Sequence, residues 1–475
     1  MFYANLNELW KDAGKALTIK NGEVKVTNPK ALQGPLTERL AANSSVSKDA
    51  GVKATAKFLI RGAARALGIE PSSVHSLYIA VGKKKAKGGY TCPACNLRAL
   101  TFESARAMFR LGKKIKASGF LFEIAKSEIG YTFQPPEEYA TQILAGAIRE
   151  GWKGPVFIQG DHFQINAKNF AADPEKEKAS LKTLIIEGLG AGFYNIDIDS
   201  STIVDLSKPT LEEQQRLNAE VCAEMTAFIR KNQPKGIEVS IGGEIGEVGH
   251  KNSTPEEFRA FMSEYNKALA KHGKNLKGIS KISIQTGTSH GGTVLPDGSI
   301  AKVAIDFGAL KTIGEIARKE YGIGGAVQHG ASTLPETEFG KFVECGAIEV
   351  HLATAFQNLI FDSPNLPKDL HDRMYQWTST NCAGERSAGQ TDEQFFYKSR
   401  KKAFGPFKRD FFTMNPKNLK AVAKELEAKF SLLFTKLNIG GNASDVSKTV
   451  KLVKVPYDAV HVKEKLSIGA DEEGE

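Results

Sequence analysis

Three of the nine histidines, His162, His290 and His329, each fall where a short apolar run gives way to polar residues. The runs are separate: PVFIQGDHF at 155–163, KISIQTG at 281–287 and GAVQHG at 325–330. Three imidazoles facing one point leave a Zn2+ ion an open coordination position for substrate, which is the arrangement of a catalytic metal. One such histidine alone is more often a hydrogen-bonded structural residue, so the metal reading rests on three at matched positions. Small residues follow two of them, Gly291 and Gly292 after His290, and Gly330, Ala331 and Ser332 after His329. Glycines allow close backbone approach, so amide N–H groups and the Ser332 hydroxyl can hold a phosphate near helix N-termini. Taken singly, each motif reads as a tight turn.

Side chains from distant runs share one rim only if those runs are strands that end together. From about residue 90 a short apolar run ending in polar residues alternates with a longer segment of helical spacing. The strands expected are 91–97, 119–125, 155–163, 193–199, 237–246, 281–287, 325–330 and 347–354. Helices are expected at 102–116, 136–150, 174–189, 210–232, 255–271, 307–320 and 335–345. Eight strands joined by seven crossovers predict an α/β chain folded as a (β/α)8 TIM barrel, whose reactive groups gather at the C-terminal strand ends. The G-x-G-x-x-G fingerprint of a dinucleotide fold is absent after the first strand. The barrel is expected over 89–365, preceded by an N-terminal extension (1–88) with a helix at ATAKFLIRGAARALGI. A C-terminal helical addition (366–475) carries a helix at 416–433 and a β-like stretch at 451–462.

At 475 residues the chain exceeds the roughly 250 of a bare barrel, which leaves room for both additions. Its 41% hydrophobic and 25% charged residues are those of an ordinary globular protein. No run is long and apolar enough for a bilayer, and the first twenty residues lack the layout of a secretory signal, so a cytoplasmic protein without a membrane partner is expected. The formal net charge is +10, but Lys and Arg are spread through the chain among acidic residues, which fits an anionic small substrate and no nucleic acid. Lys83, Lys84, Lys85 and Lys87 sit among glycines and read as a solvated loop. Five scattered cysteines predict reduced thiols, with Cys92 and Cys95 buried in the first strand.

The segments CPACNLRALTFESARAMFR, GDHF, NIDIDSS, GGEIGEVG, TSHGG, QHGAS and EVHLATAFQN occur in the order found in class II ketose-bisphosphate aldolases, over about residues 90–360. The chain resembles that family. The resemblance implies Zn2+ on His162, His290 and His329, with Asp199 and Glu244 offering an alternative inward site. It implies one catalytic ion, with a second divalent or a monovalent cation also allowed. Asp161 matches the proton donor and acceptor at the aldol hydroxyl, and Gly291, Gly330, Ser332 and Thr354 match phosphate contacts. The activity implied is cleavage and condensation of a ketose phosphate, such as fructose or tagatose 1,6-bisphosphate, through a zinc-stabilised enediolate. A phosphorylated sugar partner, a homo-oligomer and a place in carbohydrate metabolism or glycolysis follow from the same likeness.

The family's strand-eight motif has Asn and two Asp residues where this chain has His351, Ala353 and Ala355. Altered substrate contacts are therefore expected, with His351 touching the sugar or serving as a further metal ligand. The segment 397–402, YKSRKK, reads as a solvated basic helix face or, by resemblance, as a cation for a second phosphate. EIAKSEIGYTFQPPEEYATQI with GDHF also resembles the Z-type subunit of tagatose-bisphosphate aldolase, a non-catalytic role. Retention of all three histidines favours an active enzyme, and an epimerase or isomerase using the same metal centre is the other alternative.

Overall fold

The computed structural model describes residues 1–245, 251–287, 295, 301 and 305–457. Eight parallel strands close into a barrel: β1 Cys92–Asn96, β2 Leu121–Ala125, β3 Gly154–Gln164, β4 Asn195–Asp199, β5 Ser240–Glu244, β6 Lys281–Ile284, β7 Ala326–Gln328 and β8 Glu349–Leu352. Neighbours pair in chain order, and β8 returns to β1 with Glu349 opposite Cys92. The helices between and after them are α1 Thr101–Ile115, α2 Pro136–Arg149, α3 Pro174–Ala191, α4 Leu211–Asn232, α5 Pro255–His272, α6 Phe307–Tyr321, α7 Phe339–Glu344 and α8 Thr354–Asp362. Capping fixes several starts: Thr210 and Thr254 each accept from the backbone N–H three residues on, while Glu213 and Glu257 bond back. All eight expected strands and the helices through α6 are present. The single helix expected at 335–345 is instead a 3-10 turn, Glu336–Glu338, followed by α7.

Strand residues alternate in direction, and here the alternation separates chemistry. Phe122, Ile124, Ile158, Ile196, Ile198, Ile241, Ile282, Val350 and Leu352 are buried in the apolar core. Glu123, Gln159, Asp197, Lys281 and Glu349 are buried as well and meet one another inside the barrel. Lys281 Nζ lies 2.9 Å from Asp197 Oδ2, 2.5 Å from Glu349 Oε1 and 2.8 Å from Gln159 Oε1. Gly242 makes the room, because a Cβ there would lie 2.3 Å from Asp197 Oδ1 and 3.0 Å from Lys281 Cε. Such barrels are usually filled by branched apolar side chains, so an ionic layer is a departure that has to be balanced by pairing.

Elements at both ends of the chain brace the barrel. The N-terminal helices Thr37–Val46 and Ala50–Ala66 lie on α2 through Ser45 to Glu138 (2.7 Å) and Lys57 to Glu137 (2.8 Å). A short strand, Ile69–Ser72, pairs with the start of β3, and the helix His75–Gly82 sends the Tyr78 hydroxyl to Glu349. The C-terminal helix Pro416–Lys436 covers α1, with Arg110 to Glu427 at 2.5 Å and Phe434 stacked on Phe120 at 5.3 Å. The β-like stretch expected at 451–462 is corrected in part: residues 451–457 form no strand, and Tyr457 instead lies under Arg61 of the N-terminal extension with its hydroxyl on Glu137 of α2. Residues 458–462 lie outside the described ones. All five cysteines are free and buried, Cys92 and Cys95 on β1. Among the described residues no helix is long and apolar enough to cross a membrane.

Replacing Lys281 with Met strips Asp197 and Glu349 of their shared cation. The expected cost is about 3–5 kcal/mol by urea unfolding, with most of it recovered when Asp197→Asn and Glu349→Gln are added. A loss below about 1 kcal/mol would show that the interior is not held by this pairing.

Candidate metal centre

The site begins with an irregularity in β3. Gly160 pairs with Ile196 and Phe163 with Ile198, so three steps on β3 match two on β4 and one residue is extra. The bulge centres on His162, whose φ of +41° lies in the left-handed region and costs about 1 kcal/mol or more. Gly160 permits it, because a Cβ there would lie 2.4 Å from the Phe163 ring. The consequence is functional: the consecutive residues Asp161 and His162 both reach one cleft, which regular alternation would forbid.

His162 Nδ1 stands 2.9 Å from Asp199 Oδ2 and 3.3 Å from Glu244 Oε2. His329, just past β7, places Nδ1 3.2 Å from Glu244 Oε1. The remaining nitrogens converge on Asp161, with Oδ1 3.8 Å from His162 Nε2 and 3.7 Å from His329 Nε2. A carboxylate at Nδ1 fixes the proton there and leaves the Nε2 lone pair for an ion. Asp199 is itself held by Ser201 Oγ at 2.8 Å and Gln164 Nε2 at 2.5 Å. Ligand atoms of Asp161, His162 and His329 lie within 4.8 Å of one another, and so do those of His162, Asp199 and Glu244. Two imidazoles and a carboxylate at this spacing suit Zn2+.

The electrostatics match a cation site. Burial alone would lower the His162 imidazole, but Asp161 and Glu244 overcome it and hold the group well above its usual value. Burial would raise the Asp161 carboxyl, yet His162 and His351 keep it well below the carboxylate range. His351, on β8, touches His329 edge to face at 4.1 Å between ring centres and is raised by Glu123 and Asp161 against its burial.

The cleft has a volume of about 500 Å3 and opens at the C-terminal strand ends. Gly330, Ser332, His351 and Thr354 line it together with Asp161, His162 and His329. Gly330 has φ +69° and opens a 3-10 turn, Ala331–Thr333; the Ser332 hydroxyl accepts from Ala353 N at 2.8 Å beside the start of α8. Asp199 and Glu244 stand directly behind His162. His290 and Gly291 lie outside the described residues. The segment 397–402 divides: Arg400 turns inward to Asp362 at 2.7 Å, whereas Lys401 lines the cleft near the Tyr131 ring. Burial, with Arg98 adding to it, pushes Lys401 down to about 8.

Several site residues were given no role by sequence reasoning: Arg98, Glu123 and Lys126 line the cleft although they lie within segments that carried the family resemblance. Glu123 left one signal, a carboxylate in the middle of the apolar run GFLFEIA. Arg98 is paired to Glu128 at 2.5 Å and Lys126 to Glu177 at 3.0 Å, pairings that sequence spacing does not announce.

This barrel, with imidazoles and carboxylates converging at its C-terminal rim, defines a class, and comparison names it. Residues 79–427 match the family model "Fructose-bisphosphate aldolase class-II", so the chain belongs to the class II fructose-bisphosphate aldolase family. It is 24% identical over 220 residues to the D-tagatose-1,6-bisphosphate aldolase subunit GatY of Klebsiella oxytoca, a match spanning 46% of this chain and 63% of that relative. Among solved structures it is similar to the fructose-bisphosphate aldolase (Fba) of Campylobacter jejuni, with TM-score 0.45 and 18% identity over 79% of this chain and 96% of the other. It is also similar to the YdjI aldolase of Escherichia coli K12, with TM-score 0.39 and 12% identity over 74% and 99%.

Because Asp161 and Glu244 hold the His162 imidazole above its usual value against its burial, an ion entering there is expected to compete with a proton. The expectation at pH 7 is release of protons as the ion binds, read with an indicator in weakly buffered solution, and affinity that weakens as pH falls from 8 to 6. Uptake of the ion without proton release would remove His162 from the ligand set.

Proposed function

We propose that this protein is a Zn2+-dependent aldolase that cleaves and re-forms a carbon–carbon bond of a ketose bisphosphate such as fructose or tagatose 1,6-bisphosphate. The observation carrying the proposal is the convergence of His162 Nε2, His329 Nε2 and Asp161 Oδ1 in one cleft. His162, His329 and His290 would hold the ion, with Glu244 and Asp199 orienting the imidazoles or offering an inward site. Bound there, Zn2+ supplies a Lewis acid for the substrate carbonyl and the enediolate that follows cleavage.

Asp161 takes the proton from the C4 hydroxyl in cleavage and returns it in condensation. Its depressed pKa keeps it ionised at neutral pH and ready to accept. One phosphate lies at the N-terminus of α8, on the backbone of Gly330 and the hydroxyls of Ser332 and Thr354, where aligned N–H groups favour an anion; the family likeness adds Gly291 as a further contact. Lys401 meets the second phosphate; among the described residues it has no carboxylate within salt-bridge distance, and a dianion would relieve the cost of burying its charge. His351 contacts the sugar from the position where the family motif has Asn. The proposal includes a homo-oligomeric cytoplasmic protein, as the family likeness implies.

With fructose or tagatose 1,6-bisphosphate the metal-loaded protein is expected to release triose phosphates, and a chelator to stop it until Zn2+ is restored. Asp161→Asn should lower kcat about 10²- to 10⁴-fold with a smaller change in KM. Lys401→Met should instead raise KM for a bisphosphate roughly ten- to a hundredfold, the loss of one charge-assisted contact. Six-carbon products of changed stereochemistry, followed by NMR, would replace the aldol reading with epimerisation.

A further inference from the structure

Beside the metal position just described, the barrel holds a second set of donors that shares Asp161 with it and adds Glu123 and His351, which it does not use. Glu123 on β2, Asp161 on β3 and His351 on β8 are 0%, 6% and 5% exposed, and their ligand atoms lie within 4.8 Å of one another. His351 Nδ1 is 2.9 Å from Glu123 Oε2 and 3.2 Å from Asp161 Oδ1, and Nε2 is 2.7 Å from Glu349 Oε1. Despite this crowding, neither ring nitrogen of His351 makes a hydrogen bond of proper angle, and Glu123 Oε1 and Asp161 Oδ1 have no hydrogen-bond partner. Buried polar atoms are rarely left so, because each costs about 1–3 kcal/mol. Four of them on three facing side chains call for something that accepts lone pairs from all three.

A cation fits. Donors about 2.0–2.2 Å from one ion stand roughly 3–3.5 Å apart, the spacing of His351 Nδ1 from Asp161 and close to that from Glu123. Lys281 does not fill the role, since its ammonium is engaged with Asp197 and Glu349. We propose that Glu123, Asp161 and His351 hold a second divalent cation beside the first, with Asp161 Oδ1 shared between the two. That oxygen already lies 3.7 Å from His329 Nε2 and 3.8 Å from His162 Nε2, so a carboxylate bridge needs no rearrangement of elements. One imidazole and two carboxylates suit an ion of the Mn2+ to Zn2+ series. Paired ions about 3.5–4 Å apart are a known means of holding two oxygens of one substrate. The proposal rests on the first metal position being a metal position, and the test separates the two.

Full-length protein freed of metal would be titrated with MnCl2, and bound Mn2+ counted and inspected by electron paramagnetic resonance. Two ions per chain are expected, the second accompanied by the broadened, spin-coupled signal of a neighbouring pair. Glu123→Gln and His351→Asn, both close in shape to the residues replaced, should each bind one ion and give an isolated-ion spectrum. One uncoupled ion in the unsubstituted protein would overturn the second site and leave the first standing, whereas no bound ion would overturn both. Two ions in both variants would place the second elsewhere and overturn the assignment.

Discussion

Six carboxylates, Glu123, Asp161, Asp197, Asp199, Glu244 and Glu349, are buried around the axis of one barrel. Taking an ionised carboxylate out of water costs several kcal/mol unless a cation and hydrogen bonds repay it, so the arrangement of positive charge governs everything else in the interior. The lower layer is settled by Lys281, which serves Asp197 and Glu349, and Glu349 is driven below the usual range although burial opposes it. The upper layer has imidazoles in place of ammonium groups. The strain of burying these acids is visible in both layers, where burial pushes Glu123 up to about 8 and Asp197 to about 6. Acids raised in this way favour the fold while protonated and oppose it as pH climbs through those values, so an ion at the rim would relieve the cost carried by Glu123.

The rest of the architecture aims and encloses this charge. The one-residue bulge in β3 turns two consecutive side chains into the cleft, and Gly160 and Gly242 remove the atoms that would block the bulge and the ionic layer. The chain ends contribute at both mouths. Helix His75–Gly82 places Tyr78 on Glu349 from below, and the C-terminal addition delivers Lys401 from above while Arg400 anchors the same turn to Asp362. The additions thus take part in the site.

The eight strands and most of the helices were legible because each short apolar run ends in polar residues and several helices open on a capping side chain. Asp161, His162 and His329 were legible for the same reason, being the polar ends of β3 and β7. The ionic layer was not. Glu123, Lys281 and Glu349 sit in runs whose apolar neighbours dominate, and period two places them inward without saying what they meet. Lys281 finds Asp197 across 84 residues and Gln159 across 122, pairings set by barrel closure alone. The stretch at 451–457 misled in the opposite sense: its Val and Tyr residues have strand propensity, but it pairs with no strand and Tyr457 settles on Arg61 and Glu137 instead.

The claim on which all of this turns is that the rim of the barrel is a metal centre. Anomalous scattering at the zinc edge from crystals grown with Zn2+ tests it most directly. The account predicts a peak about 2.0–2.2 Å from both His162 Nε2 and His329 Nε2. A zinc-loaded crystal with no peak between those two imidazoles, or with their rings turned to separate partners, would contradict it.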